Sequence, residues 1–382
     1  MIQGQKFPIR QEIRQTPEEI EQQEIRTRSG YLPQECFRSL QTSLLESGAI
    51  ATGRSLHFAA DLVASGGLSV FLTLIWEFAI RHIGIASPRV FVYLRKRIGE
   101  LDDLCSKYAD EDLIQLNEFQ TRVTELVFVV RDCPRRGRIS LPKIGAETQR
   151  EGWLASVASA EETQVLRKVY QHGFDHGPLR RVGAEFLKAI SDGALEKALF
   201  WILWTLDQDA KARKEHGAGF TTAERGGAQL KGKAKQDVIF YFVDLCAESY
   251  KDYAGRSMIR MHEEFQCLID LMKQGNSHLG VRYRRDLLFL AVQILCEVPR
   301  WKVPAAPSLI KDPVIMSRAI TQSGSFFREV MANPKVSLHD KGKRLFKQGK
   351  ISDTAKSKLK KKDNMMEQFD AYEKAMQAYL KQ

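Results

Sequence analysis

The most strongly apolar part of the chain, residues 56–104, repeats its hydrophobic positions at the three- and four-residue spacing of a helix. The first repeat covers about 68–81 and predicts one helix with a single apolar face. Ser87 and Pro88 then have the character of a helix cap and a first-turn residue, so a second helix is predicted through Tyr108. Because this is the densest apolar block of the sequence, we expect the two helices to form the centre of the core.

The same spacing predicts helices along most of the chain. Segment 238–243, Val-Ile-Phe-Tyr-Phe-Val, has strand composition, but the apolar run continues through Cys246 without a turn. This favours a helix and leaves a small sheet as the alternative. The expected fold class is all-α, a multi-helix bundle. Its further helices are predicted at about 32–51, 56–63, 112–131, 161–172, 179–191, 194–211, 237–253, 256–274, 281–298 and 314–332.

Breaks in the helical pattern predict the domain organisation. At 382 residues the chain exceeds the usual size of a single core, so two packed helical units are expected. The clearest break lies between 133 and 152, where Pro and Gly interrupt the pattern twice. The predicted segments are an N-terminal surface arm at 1–30, a first helical unit at 31–140, a linker at 141–160, a second helical unit at 161–334, a basic disordered segment at 335–362 and a terminal amphipathic helix at 363–382.

Charge is concentrated near one end of the sequence. The chain has 58 Lys and Arg against 47 Asp and Glu, a net charge of +11. Residues 335–362 hold eleven Lys or Arg against two acids, so nine of the eleven net positive charges lie in 28 residues. This segment lacks apolar periodicity and is predicted to be a flexible basic arm that contacts phosphates. The predicted contacts are Lys341, Lys343, Arg344, Lys347, Lys350, Lys356, Lys358, Lys360, Lys361 and Lys362.

Two segments of the helical body carry further candidate phosphate contacts. Lys231, Lys233 and Lys235 belong to a glycine-rich loop predicted to be mobile at 213–236. Arg135, Arg136 and Arg138 follow the helix predicted at 112–131. These residues add to nucleic-acid binding if they share a face with the arm. Two alternatives remain for the arm, a nuclear-import signal at 358–362 and a solubilising linker.

The last predicted helix has an apolar face without an obvious place to pack. Its apolar residues recur at i, i+4, i+7, i+11 and i+14, which predicts a seam that docks on the body or on another chain. This partner-helix seam consists of Met365, Phe369, Tyr372, Met376 and Tyr379.

Two apparent catalytic or ligand motifs do not have the context that their chemistry requires. Residues 227–233 satisfy GxxxxGK, but Ala234 replaces the metal-binding Ser or Thr and no apolar strand precedes the motif. His172 and His176 have the spacing of a metal pair on a helix, yet the glycines around them favour a helix-end turn. No other catalytic signature occurs, so neither a cofactor nor a metal is expected and an enzyme is disfavoured.

A third hypothesis, an enzyme on an unrecognised helical scaffold, requires dispersed polar residues to converge in a pocket. The candidates are His57, Asp61, Glu77 and Arg81, which lie on or near the central helices. Glu77 and Arg81 are four residues apart and are better explained as an ion pair.

The cysteines and the apolar runs bear on the compartment. Six cysteines occur singly, without a CxxC pair, and no secretory signal is apparent, so reduced thiols in an intracellular protein are expected. The longest uncharged run, between Asp61 and Glu77, has 15 residues. This is shorter than the roughly 20 that span a bilayer, so a buried helix and no membrane partner are predicted. The nucleus and a virion are both compatible with this composition.

Residues 55–62, Ser-Leu-His-Phe-Ala-Ala-Asp-Leu, followed by 83–88, Ile-Gly-Ile-Ala-Ser-Pro, carry a resemblance to a known family. In sequence they resemble the C-terminal helical collar of clamp-loader-type ATPases, whose ATP-binding half has no counterpart here. The resemblance implies a collar-like oligomerisation element or a scaffold of DNA machinery. The helical body with a Lys-rich arm is also similar in texture to unassigned proteins of large DNA viruses.

The sequence therefore favours a non-enzymatic helical protein that engages nucleic acid, or an assembly that carries it, through its basic arm. The contacts are expected to be non-specific and made to phosphates. The alternative is a structural or assembly protein, such as a virion component, whose body contacts other protein subunits. Either hypothesis leaves an oligomer open.

Overall fold

The computed structural model describes residues 26–150, 152–257, 262–274, 278–297 and 309–332. These residues are mostly helical and no sheet forms among them, which confirms the all-α fold class. Segment 238–243 leads into and begins a long helix, so the helix predicted there is confirmed. The predicted basic segment 335–362, the seam at 363–382 and most of the N-terminal arm lie outside the described residues.

The first part of the chain forms six helices in sequence order. Two predicted boundaries were wrong. Gly48, with φ of 99°, ends the first helix earlier than expected and lets the second begin at Ala49. The helix predicted at 112–131 is two helices, because the backbone is extended at Leu116. The helices are α1 (Pro33–Leu45), α2 (Ala49–Ala64), α3 (Leu68–Phe78), α4 (Arg89–Lys107), α5 (Asp110–Gln115) and α6 (Asn117–Asp132).

An irregular helical segment connects α3 to α4. The helix predicted to end near 81 continues as a π-helix, Ala79–Ile83, and then as a 3-10 turn, Gly84–Ala86. Gly84 has φ of 53°, a left-handed conformation that favours glycine. This residue therefore changes the chain direction between the two central helices.

The described residues of the second part form nine further helices, again with differences from the predicted bounds. The helix predicted at 194–211 extends to His216, and the one predicted at 256–274 begins only at Glu263. The helix predicted at 314–332 divides at Gln322, where the backbone leaves helical geometry. The helices are α7 (Trp153–Val157), α8 (Gln164–Val169), α9 (Pro178–Ser191), α10 (Leu195–His216), α11 (Ile239–Ser257), α12 (Glu263–Gln274), α13 (Tyr283–Glu297), α14 (Pro313–Thr321) and α15 (Ser323–Met331).

The buried apolar side chains of both parts form one continuous cluster. α13 contacts the irregular segment after α3, and α12 packs on α4, where Arg95 pairs with Asp270 at 2.8 Å. α14 and α15 return to the first part and contact α6, and α15 also contacts α2. The last helices of the chain thus pack on helices that are 180 to 280 residues earlier in the sequence.

The predicted centre of the core is confirmed by the burial of α3. Phe71, Leu72, Ile75 and Trp76 have no exposed surface. Among the described residues, Leu68–Ala86 is long and apolar enough to cross a membrane by length and composition alone, a test that the core helix of a soluble protein also passes. Its burial identifies it as a core helix of this fold.

Candidate nucleic-acid interface

The structure describes two of the three basic segments that the sequence singles out. The ten predicted cations of the C-terminal segment and the five seam residues lie outside the described residues. The arginines at 135–138 and the lysines at 231–235 are described. Their surroundings differ enough that each segment is considered separately.

The side chain of Arg135 is engaged by the end of α1. It donates to the carbonyl oxygens of Leu44 at 2.7 Å and Leu45 at 2.9 Å, and its guanidinium lies 5.3 Å from the centroid of the Phe78 ring. The last carbonyl groups of a helix have no partner within the helix and attract cations. Arg135 therefore supports the fold through α1, and its charge is partly neutralised there.

Arg131 binds the same helix end more completely. Its guanidinium donates to the carbonyl oxygens of Ser43 and Glu46, the latter at 3.0 Å, and to the hydroxyl of Ser55 at 2.9 Å. Burial lowers the pKa of Arg131, and the nearby charge of Arg135 lowers it further. Two arginines of one segment thus close the space between α1, α2 and α6.

Residues 171–176 form a turn after α8, as the glycines around the two histidines predict. Gly173 has φ of 86°, and Asp175 accepts a hydrogen bond from the amide of Gln171 at 2.8 Å. The ring of His176 stacks on Phe220 at 4.4 Å between centroids. Phe174 projects outward and is 66% exposed. The described residues contain no group of three or more His, Cys, Asp or Glu side chains that could hold a metal ion.

A buried ion pair fastens this turn to the glycine-rich loop 50 residues later. The Arg225 guanidinium donates to the two Asp175 carboxylate oxygens at 2.7 and 2.5 Å, and both side chains are almost completely buried. Burial acts to raise the pKa of Asp175, but hydrogen bonds from Arg225 and from the amides of Gln171 and Ala223 outweigh it, so the pKa lies below its ordinary value. The carboxylate is therefore kept ionised.

Further contacts hold the loop against the body. Arg225 also donates to the carbonyl of Val169 at 2.8 Å, and its guanidinium lies 3.4 Å from a carboxylate oxygen of Asp244 on α11. Thr222 donates its hydroxyl to the carbonyl of Gln236 at 2.6 Å. Side chains that are distant in sequence thus contact the loop predicted at 213–236, and its mobility stays a prediction. Its first four residues belong to α10.

Two backbone amides of the GxxxxGK segment are already used within the protein. The amide of Gly227 donates to the carbonyl of Lys273 at 2.9 Å, and the amide of Leu230 donates to the carbonyl of Gly227 at 3.0 Å. A phosphate-binding loop needs the amides of the motif free. A Cβ atom at Gly227 would lie 2.5 Å from the carbonyl oxygen of Lys273, so this glycine serves close packing.

The three lysines of the loop follow Arg225, whose side chain ties the loop to the turn that carries exposed Phe174. Asp175, the neighbour of Phe174, binds Arg225, whose amide donates to Lys235 at 3.0 Å. Lys231 and Lys233 are exposed, Lys235 is half-buried, and none of the three forms an ion pair within the described part of the chain. Exposed Glu224 is on the same loop. We call the surface formed by residues 171–176 and 217–236 the turn–loop surface.

The two basic segments lie at opposite ends of α10. The turn–loop surface adjoins Asp209, which accepts a hydrogen bond from the amide of Phe220 at 2.7 Å. Arg138 lines a cavity together with Leu195, the first residue of α10. Fourteen residues of helix separate Leu195 from Asp209, which corresponds to about 21 Å. The structure therefore does not bring the two segments together.

The dispersed polar residues of the enzyme hypothesis make separate contacts. Asp61 accepts from the amide of Ser29 at 3.0 Å, whereas Glu77 accepts from the hydroxyl of Tyr283 at 2.9 Å. The predicted ion pair of Glu77 and Arg81 is confirmed. The fourth residue, His57, lies 3.9 Å from Glu329. Of the four side chains in this described part of the chain, Arg81 alone lines either of the two cavities beside segment 136–141.

Sequence reasoning missed Asp175, Arg225, Phe174 and Phe220 as parts of a site. Asp175 lies inside the histidine motif and Arg225 just before the glycine motif, so each motif was noticed without its anchor.

Comparison of the chain with protein-family models, with curated proteins and with solved structures gave no match. The resemblance to the clamp-loader collar therefore stays a prediction.

Proposed function

We propose that this protein binds nucleic acid without catalysing a reaction, using its Lys-rich segment 335–362 and the turn–loop surface. The observation that carries the proposal is the buried pair of Arg225 and Asp175, which joins the turn with exposed Phe174 to the loop with three lysines. A single strand offers both phosphates and unstacked bases, which bind cations and aromatic rings respectively. The Lys-rich segment supplies most of the phosphate contacts, because it holds nine of the eleven net positive charges.

The rigidity of the turn supports a stacking role for Phe174. The amide of Phe174 donates to the carbonyl of Gln171 at 3.2 Å, and the next residue, Asp175, is bound by Arg225 from a different part of the chain. A large apolar side chain held in water is unfavourable by itself. Stacking of a base covers it, and its fixed position avoids an ordering cost when the strand binds.

The test measures binding of full-length protein to a 20-nucleotide single strand and to a 20-base-pair duplex across a salt series. The arm variant replaces the ten predicted Lys and Arg of 341–362 by Gln. We expect it to lose most of the affinity for both ligands, and the slope of log affinity against log salt to fall by roughly 0.7 per lost phosphate contact for the single strand and 0.9 for the duplex. Absence of binding by the unmodified protein at low salt would sink the proposal.

A second pair of variants tests the turn–loop surface. Replacing Lys231, Lys233 and Lys235 by Gln should reduce the salt slope by up to about 2 for a single strand. Phe174→Ser should weaken single-strand binding by about tenfold or more at an unchanged salt slope and leave duplex binding unchanged, because stacking contributes roughly 1–3 kcal/mol per base. The matched control replaces three exposed lysines elsewhere, Lys96, Lys107 and Lys197, and should alter the slope by less.

The alternative function, subunit contact in an assembly, is favoured by a different set of exposed side chains. Leu45 and Ile50 are 42% and 80% exposed beside the end of α6, and Val314 and Ile315 are 61% and 49% exposed on α14, whose start is held by Asp132. Exposed apolar groups that cluster often mark a protein interface. Sedimentation of the full chain tests this function: an oligomer that Ile50→Lys dissociates, and that forms without nucleic acid, would favour it.

A further inference from the structure

A cleft opens where three parts of the fold meet, independently of the turn–loop surface. It lies between the irregular segment 79–86, the extended segment 136–141 and one face of α13. Two adjoining cavities of about 250 and 350 Å³ share Arg136, Arg138, Ile139 and Gln293 in their walls. Small-molecule pockets usually measure on the order of 300–1,000 Å³. The cleft therefore has room for a small ligand.

The floor of the cleft is apolar. Ile83, Phe289 and Leu290 line the first cavity and are otherwise almost completely buried in the protein. Ile139 is half-buried on the opposite wall, and Leu141 at the edge is 44% exposed. A flat apolar or aromatic group of a ligand is the natural complement of such a floor.

The rim of the cleft is polar and carries an excess of positive charge. Arg81, Arg136 and Arg138 line it, against Asp286 and Glu196. Arg81 is paired with Glu77, and Asp286 lies 3.7 Å from Arg285. Arg138 is exposed and has no ion pair among the described residues, so its guanidinium is available to a ligand.

The pKa of a neighbouring histidine supports the positive potential at this rim. Burial lowers the pKa of His82, and the charges of Arg138, Arg135 and Arg81 lower it further against a smaller opposite effect of Glu77. Two of these arginines, Arg138 and Arg81, also line the cleft. An anion placed there gains from their combined field.

A buried amide lies where the two cavities meet. Gln293 on α13 is only 3% exposed and lines both cavities together with residues of segment 136–139. An amide has two donor and two acceptor positions, so it can serve a ligand in addition to a partner within the protein. The adjoining π-helix is also of a kind that occurs frequently at functional sites.

We propose that this cleft binds a small amphipathic carboxylate, with its apolar body on Phe289 and Leu290 and its carboxylate at Arg138. The guanidinium fork matches a carboxylate in two parallel hydrogen bonds, which favours this anion over a neutral head group. The short floor limits the body to one ring or a few methylene groups. The proposal does not depend on nucleic-acid binding.

Titration calorimetry on the full-length protein tests the cleft with three matched probes. 4-Phenylbutyrate has both the apolar body and the charge, 4-phenylbutanol has the body alone, and butyrate has the charge with little body. We expect phenylbutyrate to bind about tenfold or more tightly than phenylbutanol, because the guanidinium donates charge-assisted hydrogen bonds to the carboxylate. Butyrate should not bind detectably. Equal affinity for the first two probes, or no binding of phenylbutyrate at millimolar concentration, would overturn the proposal.

Two variants test whether the probe binds in the cleft. Arg138→Gln removes the charge from an exposed position and should reduce phenylbutyrate affinity about tenfold, close to that of phenylbutanol. Ile139→Ser removes apolar surface from the wall and should weaken both probes. The matched control is Arg167→Gln, an exposed arginine on α8. Binding that is unchanged in both cleft variants would show that the probe binds elsewhere and would contradict the assignment.

Discussion

The arginine segment 131–138 and the turn–loop surface look alike in sequence, since each combines glycine with several cations, but they use charge differently. Arg131 and Arg135 satisfy carbonyl groups at the end of α1. In the turn–loop surface one arginine, Arg225, is buried as an anchor, and the three lysines around it remain in contact with solvent or half-buried. A cation is thus available to a partner only when no helix end or buried carboxylate already engages it.

The largest expected effect comes from removing the anchor of the turn–loop surface. Arg225→Met should lower the free energy of unfolding by about 3–5 kcal/mol, because it leaves the Asp175 carboxylate buried without its cation. Urea denaturation monitored by circular dichroism measures this loss. A double variant with Asp175→Leu should recover only part of the loss, because the amides of Gln171 and Ala223 then lose the carboxylate that accepts their hydrogen bonds.

The control for the anchor is an ion pair at the surface. Lys251 and Glu248 are 2.7 Å apart on α11, with the lysine exposed, and Lys251→Gln should cost less than about 1 kcal/mol. If Arg225→Met costs no more than this control, the ion pair does not hold the loop, and the comparison of the two basic segments loses its basis.

The second effect concerns the arginine segment. Arg131→Met should lower the free energy of unfolding by about 2 kcal/mol, because it removes hydrogen bonds to the carbonyls of Ser43 and Glu46 and to the Ser55 hydroxyl, and leaves those acceptors with fewer partners. Chemical denaturation again measures the change. Arg167→Met on α8 is the matched control and should stay within about 0.5 kcal/mol. A similar loss in both variants would contradict the role of Arg131.

The sequence predicts the helices well because helix formation depends on local spacing. The core helix α3 and the helix through 238–246 follow directly from apolar repeats. The boundaries at Gly48 and Gln322 were missed, since several residue types tolerate a helix end and tertiary packing selects among them. Local pattern therefore fixes the kind of element more firmly than its limits.

The candidate site could be predicted only in part, for a physical reason. The two motifs of the turn–loop surface are visible as separate short patterns, but their union depends on an ion pair between Asp175 and Arg225, 50 residues apart. The glycine motif was also ambiguous, because glycine permits both phosphate binding and close packing. Only the position of the Lys273 carbonyl decides in favour of packing at Gly227.

The third prediction compares unfolding free energy and nucleic-acid affinity in one variant of each segment. Arg135→Gln should lower the free energy of unfolding by about 1 kcal/mol, through loss of its hydrogen bonds to the end of α1, and leave nucleic-acid affinity nearly unchanged. The Gln replacement of Lys231, Lys233 and Lys235 should do the reverse. Denaturation and strand titration of both variants measure this. Loss of affinity in Arg135→Gln at full stability would show that the arginine segment also contacts phosphate.

The smallest expected effect is a difference in pH dependence between His176 in the turn–loop surface and His82, whose carbonyl accepts from the amide of Arg136 in the arginine segment. Burial alone lowers the pKa of His176, whereas His82 is affected first by burial and then by Arg138, Arg135 and Arg81. A lowered pKa means that the unfolded chain binds protons more readily. The stability due to each neutral ring is therefore complete above the unfolded value of about 6.5 and is lost as the pH falls below it.

Salt separates the two causes. We expect His82→Gln and His176→Phe each to reduce the loss of unfolding free energy between pH 7.5 and 5, with His172→Gln on the same turn as the control for His176. Raising salt from 0.05 to 0.5 M should reduce the pH dependence due to His82, because salt screens the repulsion from the arginines. It should leave the pH dependence due to His176 unchanged, because salt does not screen the desolvation caused by burial. The contrary outcome is that acid stabilises the protein with His176 relative to the His176→Phe variant. The protonated ring, which is stacked on Phe220, would then gain more from its charge on the aromatic face than it loses by burial. In that case the turn–loop surface would attract cations as well as bases.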